Sequence, residues 1–320
     1  MVFRGEYDAD IPKKNRSIFL KSVFAPLKAA QKMYERCEEI DVSRWKHFVE
    51  VVMPNAPRLN PIEVGILDAG QALLEEESSG FARISGSLVA HPTVSLFLKN
   101  ANEGNEGSEA WGKGIAQVDT AAETAVAWLW EHLSYERVLA HKEENGDLPR
   151  SEAVIEYSRC KIIRNVKKLR LGLGHRIFEN LFVWDKKQKS DGSNFYLLSF
   201  APADEGDGYV NAAWSSSALR EARSFSNDAA TFAKGTTSGA WKVNPIGQNI
   251  CEVTTIQTMN LGGSRIPGWL PRATLVSGLL AVKRLQMRFR RSDRIVDKVR
   301  RFADSPSQEL SRSTLPVLGF

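Results

Sequence analysis

Apolar residues recur at helical spacing in four parts of the chain, and in short runs or alternation between them. Residues 17–53 read as helical, with Phe19, Val23, Leu27 and Met33 near one face and a break at Pro26. Pro54, Pro57 and Pro61 mark a linker. A second helix starts beyond it, with Asn60 placed to cap, Pro61 at the first helical position, and Ile66, Leu73 and Leu74 following before Gly80. VSLFLKN and WGKGIAQVD read as two strands around the loop NEGNEGSE. The stretch TAAETAVAWLWEHLSYERVLAH predicts one helix, capped by Thr120 and Glu123, with a stripe of Val126, Leu129, Leu133 and Val138.

From about residue 150 the period shortens. Apolar segments such as RIFENLFVWDKK and NFYLLSFAP alternate with turn signals, and KKQKSDGSN reads as a hairpin turn through its Asp-Gly. Residues 202–228 are polar and read as a loop or short helix. The pattern resumes in DAATFAKGTTSGAWKVNPI and NICEVTTIQTMNL. These segments give about eight short-linked and therefore antiparallel strands. Residues 272–302 return to helical spacing through Leu275, Leu279, Val282, Phe289, Val296 and Val299, predicting some eight turns with a bend near Ser292. The expected organisation is a helical extension over 1–58, a domain over 59–303 and a flexible tail over 304–320.

Composition changes this picture little, but charge placement changes it more. The 320 residues are 42% hydrophobic and 25% charged, with a net charge of +5. Residues 272–302 hold ten Lys/Arg against two Asp, or +8, which leaves −3 for the rest of the chain. Basicity therefore concentrates on the last helix, where Lys283, Arg284, Arg288 and Arg291 are candidates for docking to an anionic membrane surface. A nucleic-acid partner is not expected, because no module signature or interleaved aromatics accompany the charge. Three cysteines far apart in sequence argue against a disulfide framework, and five scattered histidines lack zinc-ligand spacing. GLGH at 172–175 reads as a turn, not a phosphate loop. Neither a Ser-His-Asp set nor a Walker loop is present. Arg159, Arg164 and Arg176 lie beside Glu152, Glu156 and Glu179 on strand segments, the pattern of cross-strand pairs. No secretory leader or spanning segment is read, so a cytoplasmic protein without metal or cofactor is expected, peripheral on membranes where the basic helix docks.

The stretch NLGGSRIPGWLPR, at residues 260–272, stands between the last strand and the last helix. A Gly/Pro turn there lets the chain leave the sheet and swing back across its concave face, giving an α+β helix-grip fold: a curved antiparallel sheet around a long C-terminal helix, with a cavity between. The order strand, GG-x-x-IP-x-WL, amphipathic helix resembles the START family of StAR-related lipid-transfer domains. VDTAAETAVAWLW, HRIFENLFVWDKK and KGTTSGAWKVNPIGQNICEVTTIQTMN resemble further segments of that family in the same order, over residues 81–303 in all; the 202–228 segment departs from it. The resemblance implies binding of one lipid or sterol in the cavity, for intracellular transfer or sensing, without catalysis. It implies that Ile266, Pro267, Trp269 and Leu270 form the turn and lid, with Trp269 gating the opening. Leu275, Leu279 and Val282 would face the cavity, and Phe182, Trp184, Phe195, Leu197, Trp241, Ile256 and Met259 would line it from the strands, with their facing left open by alternation. An interaction module of a larger signalling protein and an enzyme on the same fold remain as alternatives. Oligomeric state is not legible.

Overall fold

Two helices meet the same sheet through glycine, one on each face, and this sets the layers. The computed structural model describes residue 33 and residues 35–76, 80–84, 93–99, 109–155, 157–169, 173–203, 232–263 and 266–290. Helix α1 covers residues 35–47 and runs into a π-helical turn at Phe48–Val52. Then come α2 (Pro61–Glu75), β1 (Phe81–Arg83), β2 (Val94–Lys99), β3 (Glu109–Val118), α3 (Ala122–Trp130) and α4 (Tyr135–Asn145). The rest of the sheet follows as β4 (Arg150–Val154), β5 (Cys160–Lys168), β6 (His175–Gln188), β7 (Asn194–Pro202), β8 (Ala233–Lys234), β9 (Thr236–Gly247) and β10 (Ile250–Asn260), before α5 (Trp269–Phe289). The strand order is β1-β2-β3-β10-β9-β7-β6-β5-β4, with every pair on that path antiparallel and β8 added in parallel to β6. Strands β1 and β8, of three and two residues, are too short to show in the periodicity.

On the concave face α5 packs on β3, β10 and β2. The W-G-K-G stretch of β3 makes this possible. A Cβ on Gly112 would lie 2.6 Å from Leu279 Cδ1 and 3.1 Å from Leu275 Cδ2, and one on Gly114 would lie 3.0 Å from Val282 Cγ2. Leu275, Leu279 and Val282 are fully buried in that seat. This is the helix-grip arrangement. On the convex face α2 packs on β7 and β9, where a Cβ on Gly70 would meet the Ser199 side chain. Helix α2 begins as its sequence predicts: Asn60 Oδ1 accepts from the Glu63 N–H at 3.0 Å, and Glu63 Oε2 accepts from the Asn60 N–H at 2.8 Å. The predicted Asp-Gly hairpin joins β6 and β7, with Gly192 at φ 83° and Asp191 accepting from the Ser193 N–H and hydroxyl.

The described part of the N-terminal segment packs into the same core. Phe48 stacks on Trp130 (centroids 5.7 Å) and meets Trp184 edge-on (5.4 Å), while Trp45 lies against Phe289 at 5.6 Å. Residues 17–32, the 204–231 segment and residues 291–320, including Arg291 and the bend near Ser292, lie outside the described residues.

Gly112→Val places methyl groups where α5 sits. It is expected to destabilise the fold by about 1–3 kcal/mol in urea unfolding, the usual cost of overpacking. Gly65→Ala on α2, where a new Cβ meets nothing within 4 Å, should be neutral or stabilising by up to about 1 kcal/mol. Equal midpoints for the two variants would show that the close seat of α5 is not a constraint.

Candidate functional site

The site grows from a broken helix. Residues 120–141 do not form the single helix that their stripe predicts: α3 stops at Trp130 and α4 restarts at Tyr135. Thr120 makes no capping box; Ala121 is the N-cap, without a side-chain bond. Glu123 instead accepts a hydrogen bond from the Tyr196 hydroxyl at 2.7 Å. The break persists because distant groups satisfy both new helix ends. Asp41 of α1 accepts from the Tyr135 and Glu136 N–H groups (2.9 and 3.2 Å), serving as the N-cap that α4 lacks locally. Arg137 donates to the Trp128 and Leu129 carbonyls (3.1 and 2.8 Å), and Lys161 donates to the Trp130 carbonyl. Arg150 donates to the His132 carbonyl through two nitrogens (3.1 and 2.6 Å). Cations thus collect where the helix dipole is negative.

Between this corner, α5 and the concave sheet lies a cavity of about 170 Å³. The sheet side of β6, β7, β9 and β10 carries Phe178, Phe182, Phe200, Trp241 and Met259, with Asn180, Thr237 and Gln257 among them and Phe182 and Phe200 stacked at 5.9 Å. Toward β4, β5, the helix corner and α5 the lining is polar and carries Arg137, Arg150, Lys167 and Arg284, His132 and His141, and, among the described residues, one carboxylate, Glu144. Glu144 joins α4 to α5 across the cavity rim: it pairs with Arg284 and accepts from the Ser277 hydroxyl at 3.1 Å. Lys167 Nζ stands 3.9 Å from the same carboxylate.

The polar wall is electrostatically tense. Burial, and then Arg150, Arg137 and Lys161, hold His132 well below the ordinary imidazole range, and Asn165 is its hydrogen-bond partner. His141 is also held down by burial; its Nε2–H donates to the Leu148 carbonyl (3.0 Å) and its Nδ1 accepts from Asn145 (3.2 Å). Both imidazoles are therefore neutral at pH 7. Burial and the neighbouring Arg150 push Lys167 down to about 8. Burial and Arg137 push Arg150 down to about 9.

Among the residues expected from sequence, Phe182, Trp241 and Met259 line this cavity. Phe195, Leu197 and Ile256 do not. Phe195 and Leu197 pack on the convex face in a cluster with Leu67 of α2, and Ile256 shares that face through its pairing with Ala240. Trp184 points to the concave side but is filled against Phe48, with Arg159 over its ring at 5.3 Å. Leu275, Leu279 and Val282 face the sheet as expected, yet they sit directly on β3 with no cavity between. The α5 positions that reach the cavity are Ser277, Gly278, Ala281 and Arg284. Ile266 packs half-buried at the core edge, Leu270 is buried, and Trp269 is 52% exposed; none of the three lines the cavity. The turn expected to gate the cavity contributes no lining residue, whereas Glu144 of α4 and Arg284 of α5 both do. Arg284 and Arg288 are tied inward, Arg288 to Glu38 at 2.8 Å and to Glu136 at 3.6 Å; Lys283 is half-buried on the same helix. Arg164 pairs with Glu179 and Arg159 with Asp185, while Arg176 donates to the Leu261 carbonyl at 2.6 Å; none reaches the cavity.

Sequence reasoning missed the polar wall. Its one available signal was β5, where Lys161, Ile163, Asn165 and Lys167 share a strand face while Cys160 and Ile162 occupy the other. Among the described residues no group of His, Cys, Asp and Glu could hold a metal, and no helix is long and apolar enough to cross a membrane.

Lys167 makes the first site prediction. Its pKa near 8 lies below the ~10.4 of an unfolded lysine, so between those values the unfolded chain holds a proton that the native state has released. Its destabilising effect is full below pH 8 and fades as pH rises through that window. Lys167→Met should therefore stabilise the protein by about 1–3 kcal/mol at pH 7, with the gain vanishing above pH 10.5. A gain independent of pH in denaturant titrations would rule out the depressed lysine.

No family model and no curated protein sequence matches the chain. Among solved structures it is similar to the lipid transfer and protein localization domain of human StarD13 (DLC2), at 16% identity and a TM-score of 0.44, over 73% of this chain and 100% of that one. It is similar to human StAR-related lipid transfer protein 5 at 10% identity and a TM-score of 0.45, over 72% and 97%. It is also similar to a fragment of a STAR-related lipid transfer protein from Xanthomonas axonopodis, at 14% identity and a TM-score of 0.43, over 67% and 100%. At these identities the likeness is one of chain path, and the site rests on the residues described above.

Proposed function

We propose that the chain binds one lipid or sterol-class amphiphile between α5 and the concave sheet, as a carrier or sensor. The observation that carries this reading is the cavity itself, with aromatic residues of β6, β7 and β9 along the sheet and cations gathered toward β5 and the helix corner. Such a division suits a ligand with an apolar body and one polar end. Burial of the apolar part at roughly 25 cal/mol per Å² would supply most of the affinity. The Glu144–Arg284 pair and the Ser277–Glu144 hydrogen bond would part for entry, with the sheet held rigid.

Catalysis on the same fold is the second reading. It is favoured over an unliganded interaction module by the polar wall, where Lys167, Glu144 and two neutral histidines meet one cavity. It requires turnover with a pH–rate knee near 8, set by Lys167. A carrier shows stoichiometric occupancy and no product.

Native mass spectrometry of the purified chain, followed by lipid extraction, should find one amphiphile per protein. Gly278→Leu provides the control. A side chain there enters the cavity, with the Gln257 amide oxygen 3.1 Å from the new Cβ, and leucine replaces glycine inside a helix. Occupancy should fall at least tenfold while thermal stability holds or rises by up to about 1 kcal/mol. Undiminished occupancy in Gly278→Leu would place the ligand elsewhere.

Glu144→Gln weakens the link across the rim. It should speed release of a bound fluorescent lipid several-fold without lowering the unfolding midpoint by more than about 1 kcal/mol, the scale of an exposed pair. An unchanged release rate in stopped flow would remove the rim from the entry path.

A further inference from the structure

We infer that the occupant is a single-chain amphiphile with an anionic head, a carboxylate or phosphate monoester, met by Arg150 and Lys167, with its tail along Phe178, Phe182, Phe200, Trp241 and Met259. The inference rests on the cavity being the ligand site proposed above, and it adds the charge and size of what binds.

The charge argument is a matter of which partners are taken. Among the described residues four cations line the cavity against one carboxylate. That carboxylate, Glu144, is held by Arg284 and Ser277 at the rim. Glu152 is held by Lys161 at 2.7 Å, and Glu136 lies 3.2 Å from the Trp128 indole nitrogen and 3.6 Å from Arg288. The C-terminal carbonyls of α3 occupy Arg137. Among the described residues Arg150 hydrogen-bonds one neutral carbonyl, that of His132, and Lys167 has one long ion pair, 3.9 Å from Glu144. Two neighbouring half-buried cations with no carboxylate at hydrogen-bond distance among the described residues are costly, because removal from water penalises each charge and each repels the other. The depressed lysine and arginine are the expected symptom of that cost. The neutral histidines add no charge, but His132 and Asn165 add polar groups beside the same wall. An anion placed there would gain charge-assisted hydrogen bonds from both cations.

The size argument is independent. About 170 Å³ falls below the ~300–1,000 Å³ of pockets that enclose larger ligands. Leu275 and Leu279 already fill the space over β3, so the cavity cannot lengthen in that direction without unseating α5. One chain fits this space better than two.

The test uses the full, delipidated chain and four probes: decanoic acid, decyl phosphate, decanol and inorganic phosphate, each titrated by calorimetry at pH 7. Decanoic acid and decyl phosphate should bind at least tenfold more tightly than decanol. Lys167→Met and Arg150→Met should each reduce that preference to threefold or less. Arg150 also holds the His132 carbonyl, so the Lys167 variant decides if the other fails to fold. Equal binding of acid and alcohol would overturn the anionic head and leave the proposed function standing. Inorganic phosphate binding as well as decyl phosphate would overturn the amphiphile and with it the proposed function. No binding of any probe would overturn both.

Discussion

The close seating of α5 upon the two glycines of β3 determines where empty space can exist. Gly112 and Gly114 let Leu275, Leu279 and Val282 descend to the backbone of β3, so the helix axis lies over β2, β3 and β10. A helix centred over the sheet would fill the concavity evenly. This one is displaced toward one side, and the concave residues of β5, β6 and β7 are met by α3 and α4 instead of α5. Their large aromatics narrow the gap but do not close it, since Phe182 and Phe200 stack on each other and reach no residue of α5 through an aromatic contact. The cavity is thus a consequence of seating, and Gly278, facing it from α5, keeps it open.

What closes the gap from the other side is a helix corner that the fold must support. Breaking α3 from α4 leaves unpaired carbonyls at one end and unpaired N–H groups at the other. Asp41 answers the N–H groups, and Arg137, Lys161 and Arg150 answer the carbonyls. Arg137 and Arg150 also form part of the cavity wall. One arrangement therefore serves two ends: it terminates a helix inside the protein, and it gives the cavity a positive side. It also explains why the N-terminal segment belongs to the domain's packing, since Asp41 and Phe48 act on α4 and on the Trp130 ring respectively.

Much of this was legible in the chain. Asn60 and Pro61 announced the start of α2, Asp-Gly announced the β6–β7 hairpin, and the GG-x-x-IP-x-W turn announced a helix returning across the sheet. Facing was not legible, for a physical reason. Alternation reveals the buried face only where the other face is wet. Here α2 covers the convex side of β6 and β7, so Phe195 and Leu197 are as buried as Tyr196 and Leu198. Nothing in NFYLLSF distinguishes the two sets. The α3–α4 break was hidden for a different reason: its cap, Asp41, lies 94 residues from Tyr135, beyond the reach of any local pattern.

Lys167 is where fold and function part. A side chain chosen for stability at that point on β5 would be apolar, because Phe178 stands opposite its neighbour Asn165 in the register and the site is largely out of water. Replacing a buried charge by a hydrophobe of similar volume is commonly neutral or favourable. Helix termination does not require it either: Lys167 reaches none of the α3 carbonyls, which Arg137 and Lys161 already hold. Arg150 at least holds the His132 carbonyl; Lys167 holds only a long contact to Glu144. On the ligand reading proposed above, a cation whose burial depresses its pKa, which serves no helix end and lines a cavity with aromatic residues, is accounted for by what would enter that cavity.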